Sequence, residues 1–184
     1  MGAITVHEFT TLDGVVDVPV WTMPFGFPDD LAASIGALTG SATGILLGRT
    51  TFEMFAPAWS TRTVADDPGA PFFNDTRKYV VSSTLADAES TWANSTVIGG
   101  YSAEEVRVLK DEVEGDLYVS GSATLVRALL ADGLVDELHL YVYPVAVGTG
   151  IRLFPEGTTQ TLALLGAQPL SNGVVHLTYG PAAA

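Results

Sequence analysis

Short runs of aliphatic, β-branched and aromatic residues alternate along this chain with segments in which apolar residues recur three or four positions apart. The short runs are typical of strands, whereas the wider spacing is typical of a helix with one apolar face. The pattern predicts strands at residues 4–10, 45–47, 78–81, 96–98, 117–119, 137–145, 162–170 and 174–179. Because a Ser-Asn-Gly turn at residues 171–173 separates the last two runs, we expect them to form an antiparallel hairpin.

Helix signals lie between these strands. Residues 31–38 repeat apolar side chains at helical spacing, Ser102 and Glu105 form a capping box, and Ser122 caps a further predicted helix. Strands that alternate with helices favour an α/β fold with a mostly parallel central sheet, helices on both faces and the C-terminal antiparallel hairpin. The remaining segments are predicted to be a helical turn at residues 49–55 and loops at residues 15–28 and 56–75.

Composition narrows the class of protein. The chain has 184 residues, of which 47% are hydrophobic, and this predicts one folded domain over residues 1–184. A formal net charge of -13 disfavours nucleic acid and anionic membranes as partners. The chain contains no cysteine, and its first residues show no basic segment followed by an apolar one, so we expect a cytoplasmic protein without disulfides.

Three predicted strands end in polar or glycine-containing turns, at residues 48–51, 82–84 and 120–123. In open α/β sheets, ligands bind beyond the carboxyl ends of the strands, and free N–H groups at a helix start attract phosphate. Gly48 would let the backbone approach a pyrophosphate, and Arg49 would add positive charge. The turns therefore predict a dinucleotide site.

A second phosphate could be held next to these turns. Ser82 and Ser83, with Arg77 or Lys78, are suited to a group such as the 2'-phosphate of NADPH. Taken one at a time, the turns are equally well explained as tight turns, helix caps and polar strand ends. The chain has neither a G-x-G-x-x-G fingerprint nor a G-x-x-x-x-G-K-[ST] loop, which disfavours an ordinary Rossmann domain or a P-loop protein.

The order of these motifs resembles the RibD C-terminal family, the reductase domain of riboflavin biosynthesis, within the dihydrofolate-reductase-like superfamily. The resemblance extends over nearly the whole chain. It is carried by TLDG at residues 11–14, LGRTTFE at 47–53, KYVVSSTL at 78–85, LYVSGSA at 117–123, LVDELHL at 134–140, Pro144 and GTGIRLF at 148–154. The resemblance implies a three-layer dihydrofolate-reductase-like fold.

The resemblance also implies NADPH as the cofactor, a small-molecule substrate and a homodimer. The implied activity is that of a 5-amino-6-(5-phosphoribosylamino)uracil reductase, although the chain has no room for the zinc-dependent deaminase domain of the bifunctional protein. A different heterocycle, such as dihydrofolate, stays open as the substrate. The positions that match the family's cofactor-binding segments are Gly48, Arg49, Thr50, Ser82, Ser83, Gly121, Ser122 and Ala123.

Two aspartates are candidate catalytic acids. Asp30 matches the dihydrofolate reductase segment in which a carboxylate at a helix start binds the pteridine, and Asp13 could reach the substrate through its glycine turn. A helix N-terminus favours the ionised carboxylate, so proton donation by Asp30 would need burial. An exposed helix cap explains Asp30 equally well, and an Asp-Gly turn explains Asp13.

Aromatic residues in the loop at 15–28 are candidate substrate contacts. Trp21, Phe25 and Phe27 could form the wall of a planar pocket, although core or loop packing explains any one of them more simply. The three histidines, His7, His139 and His176, fall in predicted strands without metal-ligand spacing, so we expect sheet residues and no metal site. A nucleotide-binding module without turnover and a structural protein are the alternatives to an NADPH-dependent reductase.

Overall fold

A computed structural model describes residues 2–89 and 91–182. The strands are β1 (Ile4–Thr11), β2 (Ala42–Gly48), β3 (Arg77–Val81), β4 (Ser95–Val97), β5 (Asp116–Val119), β6 (Glu137–Tyr143), β7 (Leu162–Pro169) and β8 (Val175–Pro181). The helices are a 3-10 helix (Val20–Phe25), α1 (Asp29–Ser41), α2 (Arg49–Trp59), α3 (Ala70–Asp75), α4 (Ala103–Glu112) and α5 (Ala123–Ala131). Within the described ranges, none of these helices is long and apolar enough to cross a membrane.

The strands form one sheet in the order β4-β3-β2-β5-β1-β6-β8-β7. The first six strands in this order run parallel, and β8 pairs antiparallel with both β6 and β7. The predicted α/β class, with a mostly parallel sheet and a C-terminal antiparallel hairpin, is confirmed. Strands β1 and β5 lie side by side at the centre, so the turns that follow them open at the same edge of the sheet.

Helices cover both faces of the sheet. Ile4 and Val6 of β1 pack on one face against α4 and α5, through residues such as Leu109 and Val126. On the other face, α2 and α3 pack against β2, β3 and β5, and α1 packs against β6. Successive strand side chains point to opposite faces, so the near-continuous apolar runs of the central strands are what a sheet covered on both sides requires.

The loop predicted at residues 56–75 is wrong in part. Helix α2 continues to Trp59 and includes Pro57, and residues 70–75 form α3. Proline removes a helix hydrogen bond, but burial of Phe52 and Ala56 on the sheet stabilises α2 around Pro57. Pro71 in the first turn of α3 needs no helical N–H partner, so it favours this start.

Of the two predicted helix caps, the one at Ser102 is confirmed. The Ser102 hydroxyl accepts a hydrogen bond from the Glu105 N–H over 3.3 Å. Ser122 stands at the N-cap position of α5, but its side chain makes no capping hydrogen bond among the contacts of the described residues. The predicted cap at Ser122 is therefore wrong in its hydrogen bond, and this leaves the start of α5 open. The loop at residues 15–28 holds the 3-10 helix, which the sequence pattern did not predict.

Candidate functional site

A cavity of about 780 Å³ opens at the carboxyl ends of β1 and β5 and extends between α1 and the α2–α3 pair. Its position is the one expected for a ligand crevice in an open α/β sheet. Aromatic and aliphatic side chains dominate its walls: Phe9, Phe27, Ile35, Met54, Phe55, Trp59, Phe72 and Phe73. Such walls suit a planar ligand, because ring faces bury large apolar areas against one another.

The starts of α2 and α5 meet at the edge of this cavity. Gly48 is the N-cap residue of α2, and a methyl group on it would lie 2.2 Å from Ser122 Oγ. Gly121 has a φ angle of +72°, and a methyl group there would lie 2.8 Å from Thr51 Oγ1. The Gly121–Ser122 peptide bond is cis. Both glycines are therefore required by close backbone approach, and Gly121 also by its left-handed conformation.

The two helix starts are open to an anion. In the part of the chain that the structure describes, neither Gly48 nor Ser122 caps its helix with a side chain. Unpaired N–H groups and the helix dipole at such positions favour phosphate. Thr50, Gly121, Ser122 and Ala123 line the cavity here, together with Thr51 and Thr124. We call the surface formed by Gly48, Thr50, Thr51 and residues 121–124 the glycine cradle.

Arg49, Ser82 and Ser83 lie outside the cavity lining. The Arg49 guanidinium is about half exposed and donates to both Glu53 carboxylate oxygens, at 3.0 and 3.2 Å. Ser82 is buried at the end of β3, where its hydroxyl accepts from the N–H groups of Thr84 and Leu85. Ser83 is exposed beside it. Because β3 is the strand next to β2, these residues flank the glycine cradle, and their role toward a ligand stays a prediction.

Lys78 is placed differently from its predicted role. Its side chain is 0% exposed, and its ammonium group donates to the backbone carbonyls of Phe73, Asn74 and Thr76 at 2.8 to 3.2 Å. The ammonium also lies 4.5 Å from the centre of the Trp92 ring. Burial lowers the pKa of Lys78 to about 8, against opposing effects of Glu89 and Asp75. Lys78 caps the end of α3 through these contacts, and its role toward a cofactor phosphate stays a prediction.

Neither predicted catalytic aspartate is among the residues that line the cavity. Asp30 accepts hydrogen bonds from the Ser171 N–H and hydroxyl at 2.7 and 2.9 Å. These bonds lower the pKa of Asp30, and the bond from the N–H has the largest effect. Asp13 accepts from the Thr11 hydroxyl and from N–H groups of the loop at 147–148, which hold its pKa at about 2. Asp30 therefore joins the start of α1 to the turn at Ser171, and Asp13 joins the end of β1 to the loop at 147–148. A carboxyl group with a lowered pKa is a poor proton donor at neutral pH, so these contacts do not support the two catalytic roles, which stay predictions.

The predicted substrate contacts, Trp21 and Phe25, pack against a core cluster, and their role toward a substrate stays a prediction. Trp21 and Phe25 pack edge-to-face on Tyr143, with ring centres 5.4 and 5.5 Å apart, and they belong to a core cluster with Leu31. Neither residue is part of the cavity lining, whereas Phe27 of the same loop is. One aromatic residue of this loop therefore lines the cavity, but most of the aromatic lining residues come from α2 and α3.

Two buried titratable residues of β1 reach the cavity, and the sequence pattern had assigned a catalytic role to neither. His7, predicted as a sheet residue, lies within hydrogen-bonding distance of the Tyr118 hydroxyl, 2.8 Å from Nδ1, and burial lowers its pKa to about 3. Burial raises the pKa of Glu8 to about 8, against a smaller opposing effect of a hydrogen bond from the Gly121 N–H. A glutamate inside the predicted strand at residues 4–10 was the available signal.

Fold and cavity together define an α/β protein with a crevice at the carboxyl ends of its parallel strands. The chain belongs to the RibD C-terminal domain family, whose model matches residues 3–176. The uncharacterized protein YyaP of Bacillus subtilis (strain 168) is 27% identical over 186 residues, which cover 96% of this chain and 90% of YyaP.

Solved structures share the fold at low sequence identity. A protein from Shewanella sp. PV-4 assigned to riboflavin biosynthesis superposes with a TM-score of 0.78 at 20% identity, over 98% of this chain and 99% of the other. Dihydrofolate reductase from Enterococcus faecalis, in a complex with NADP(H), superposes with a TM-score of 0.64 at 18% identity, over 97% and 96%. These likenesses confirm the predicted dihydrofolate-reductase-like fold.

Proposed function

We propose that this protein is an NADPH-dependent reductase of a small planar heterocycle. The observation that carries the proposal is the cavity itself, in which two uncapped helix starts meet at the glycine cradle and lead into a chamber with aromatic walls. Membership of the RibD C-terminal family supports a reductase, and the similar dihydrofolate reductase that binds NADP(H) supports the cofactor.

The glycine cradle and the residues beside it would bind different parts of such a cofactor. Thr50, Ser122 and Ala123 would hold the pyrophosphate through backbone N–H groups and hydroxyls, and Gly121 would let it approach closely. Arg49, Ser82 and Ser83, beside the cradle, would bind the 2'-phosphate. When bound, NADPH supplies the hydride that reduces the substrate. The chain's own contribution is to hold a flat ring beside the cradle and to exclude water from it.

The charges of the cavity favour a neutral heterocycle over a phosphorylated one. Arg62 is the cation among the lining residues that the structure describes, and it lies 3.8 Å from Asp67 and 4.8 Å from the centre of the Trp59 ring. Asp17 and Asp67 line the same cavity. Outside the glycine cradle, a phosphate on the substrate would meet two carboxylates and an arginine that is already paired. The family-implied 5-amino-6-(5-phosphoribosylamino)uracil is therefore a less favoured substrate than an unphosphorylated pterin- or pyrimidine-like ring.

Cofactor binding is tested by titration of NADPH against intrinsic fluorescence, because Trp59 lines the cavity and reports on its filling. We expect saturable quenching that is lost in Trp59→Phe, while the variant still binds by calorimetry. Consumption of NADPH at 340 nm with a panel of pterins, pyrimidines and their phosphorylated forms then tests turnover. Failure of the protein to bind NADPH at millimolar concentration contradicts the proposal, and binding without turnover on the panel indicates a nucleotide-binding module instead.

The choice of NADPH over NADH is tested at Arg49. Replacement of Arg49 by Ala should weaken the binding of NADPH by about tenfold, roughly the 1.4 kcal/mol of one charge-assisted contact. The affinity for NADH should be nearly unchanged. Arg107, exposed on α4 at the opposite face, offers a matched control that removes the same charge. Equal losses for both cofactors would contradict the 2'-phosphate role, and equal losses in Arg107→Ala would show a general charge effect.

A further inference from the structure

Glu8 is an acidic side chain in the interior of a central strand. It pairs with Leu140 of β6 in register, and only 7% of its surface is exposed. One carboxyl oxygen, Oε1, is fully buried and has no hydrogen-bond partner among the described residues. The Gly121 N–H of the glycine cradle is directed to the carboxylate. Glu8 is also one of the residues that line the cavity, so this side chain belongs to the wall of the site.

A buried polar atom without a partner is costly, and native structures retain one mainly where it has a function. His7 has a similar free atom, since its Nε2 is buried and lacks a partner within the described chain. Its Nδ1 lies near two hydroxyls, 2.8 Å from that of Tyr118 and 3.5 Å from that of Ser120. At neutral pH the lowered pKa of His7 makes it uncharged, and the raised pKa of Glu8 keeps its proton on. Neighbouring groups with pKa values pushed apart are typical of acid–base sites.

We propose that Glu8 is the acid that protonates the substrate during reduction. This inference rests on the reductase function proposed above. The substrate's C=N or C=O carbon accepts the hydride, the π-bond electron pair moves to the nitrogen or oxygen, and that atom takes the proton from the Glu8 carboxyl. The substrate gains two electrons, which the cofactor loses. Glu8 is left as a carboxylate that the Gly121 N–H stabilises, and it regains a proton from water.

Other groups near the cavity fit this role less well. Asp13 and Asp30 are held as carboxylates by turns outside the cavity. Asp67 pairs with Arg62 and accepts from the Gly69 N–H at 2.8 Å. His7 is uncharged at neutral pH, because burial and then His139 and His176 disfavour its protonated form, so it is not the imidazolium acid that could release a proton.

The surroundings of Glu8 make its titration simple to interpret. The side chain of His7, the preceding residue on the strand, points to the opposite face of the sheet. Tyr118 on β5 has its pKa raised by burial first and by Glu8 last, so it is coupled to the charge of Glu8. Helix α5 presents its open start rather than a charged side chain, since Arg127 donates to the Leu153 carbonyl at 3.0 Å. Loss of activity in the alkaline range can therefore be assigned by replacement of Glu8 itself.

The test compares the wild type with Glu8→Gln, which keeps the size and polarity of the side chain but has no proton to release. We expect NADPH affinity within about twofold of the wild type and turnover lower by about 100-fold or more, the usual contribution of a general acid. Wild-type turnover should fall as pH rises through about 8, the pKa of Glu8, and the residual activity of the variant should lack this step. Glu112→Gln, an exposed carboxyl of α4, is the matched control.

A readout without cofactor or substrate measures the proton directly. Infrared difference spectra of the wild type minus Glu8→Gln should show the C=O stretch of a protonated carboxyl at pH 7, and this band should disappear toward pH 10. If Glu8→Gln does not fold by circular dichroism, Glu8→Asp serves in its place, with reduced turnover and the alkaline step retained. A Glu8 carboxyl that is ionised at pH 7, or Glu8→Gln turnover within tenfold of wild type, overturns the acid role. A wild type that fails to bind or oxidise NADPH overturns the reductase itself, and that result is visible without any variant.

Discussion

The geometry of the glycine cradle can be tested by placing one methyl group on Gly48. In Gly48→Ala the new Cβ would lie 2.2 Å from Ser122 Oγ, 3.1 Å from Ser122 Cβ and 3.3 Å from Ser122 N. Rotation of the serine side chain relieves only the first contact, so the backbone at the starts of α2 and α5 must move apart. Overpacking of this kind costs about 2 kcal/mol. The φ angle of Gly48 is -75°, so alanine adds no backbone strain and the whole loss arises from the contact.

Urea unfolding of a double-mutant cycle measures this contact. Ser122→Gly alone should cost only a few tenths of a kcal/mol, because the serine makes no capping bond within the described chain. Gly48→Ala combined with Ser122→Gly should regain most of the lost stability, with a coupling of about 1 to 2 kcal/mol. Gly40→Ala, in α1 with no atom within 4 Å of the new methyl, is the control and should stabilise by about 0.5 to 1 kcal/mol. A Gly48→Ala loss that persists unchanged without the serine side chain would refute the close approach.

Three further predictions concern the residues whose roles the structure changed or added. Lys78→Met should destabilise by about 2 kcal/mol, because it leaves three backbone carbonyls unpaired, yet NADPH affinity should not change; a loss of affinity in a folded variant would argue for a ligand role. Asp30→Asn should lower the melting temperature without lowering turnover, since the carboxylate binds Ser171 outside the cavity. The pKa of Glu8 is raised from 4.5 to about 8, so between these pH values Glu8 holds a proton in the folded state that the unfolded chain releases. The free energy of unfolding should therefore fall as pH rises from 4.5 to about 8, by roughly 1.4 kcal/mol per pH unit at most. Urea unfolding at pH 5 and pH 8 should show this fall in the wild type and not in Glu8→Gln.

The parts of the site that follow from local sequence were predictable. A strand that ends in glycine before a helix is a signal contained in a few residues, and Gly48 and Gly121 were both found in this way. The strand and helix alternation likewise fixed the α/β class, because periodicity reports which faces are buried. The 3-10 helix and α3 were missed since each is only six residues long, too short for a period to be visible.

The direction of a polar side chain was not predictable, because its partners come from distant parts of the chain. Asp30 is held by Ser171, 141 positions away, and Asp13 by Gly148, 135 positions away. The same limit applies to Lys78, whose burial depends on how the end of α3 packs against β3. Glu8 is the opposite case, since a glutamate within a central apolar strand was visible and only its raised pKa needed the fold.

The overall charge of the chain limits how it can attract an anionic cofactor. At a formal net charge of -13 the long-range field is repulsive, Arg49 is partly neutralised by Glu53, and Lys78 is buried and fully bonded. Attraction must then come mainly from oriented backbone N–H groups at the glycine cradle, which act at contact distance and are less sensitive to salt than surface ion pairs. Binding and cofactor choice are therefore separable in this protein: Gly48→Ala should weaken NADPH and NADH together, whereas Arg49→Ala should weaken NADPH alone.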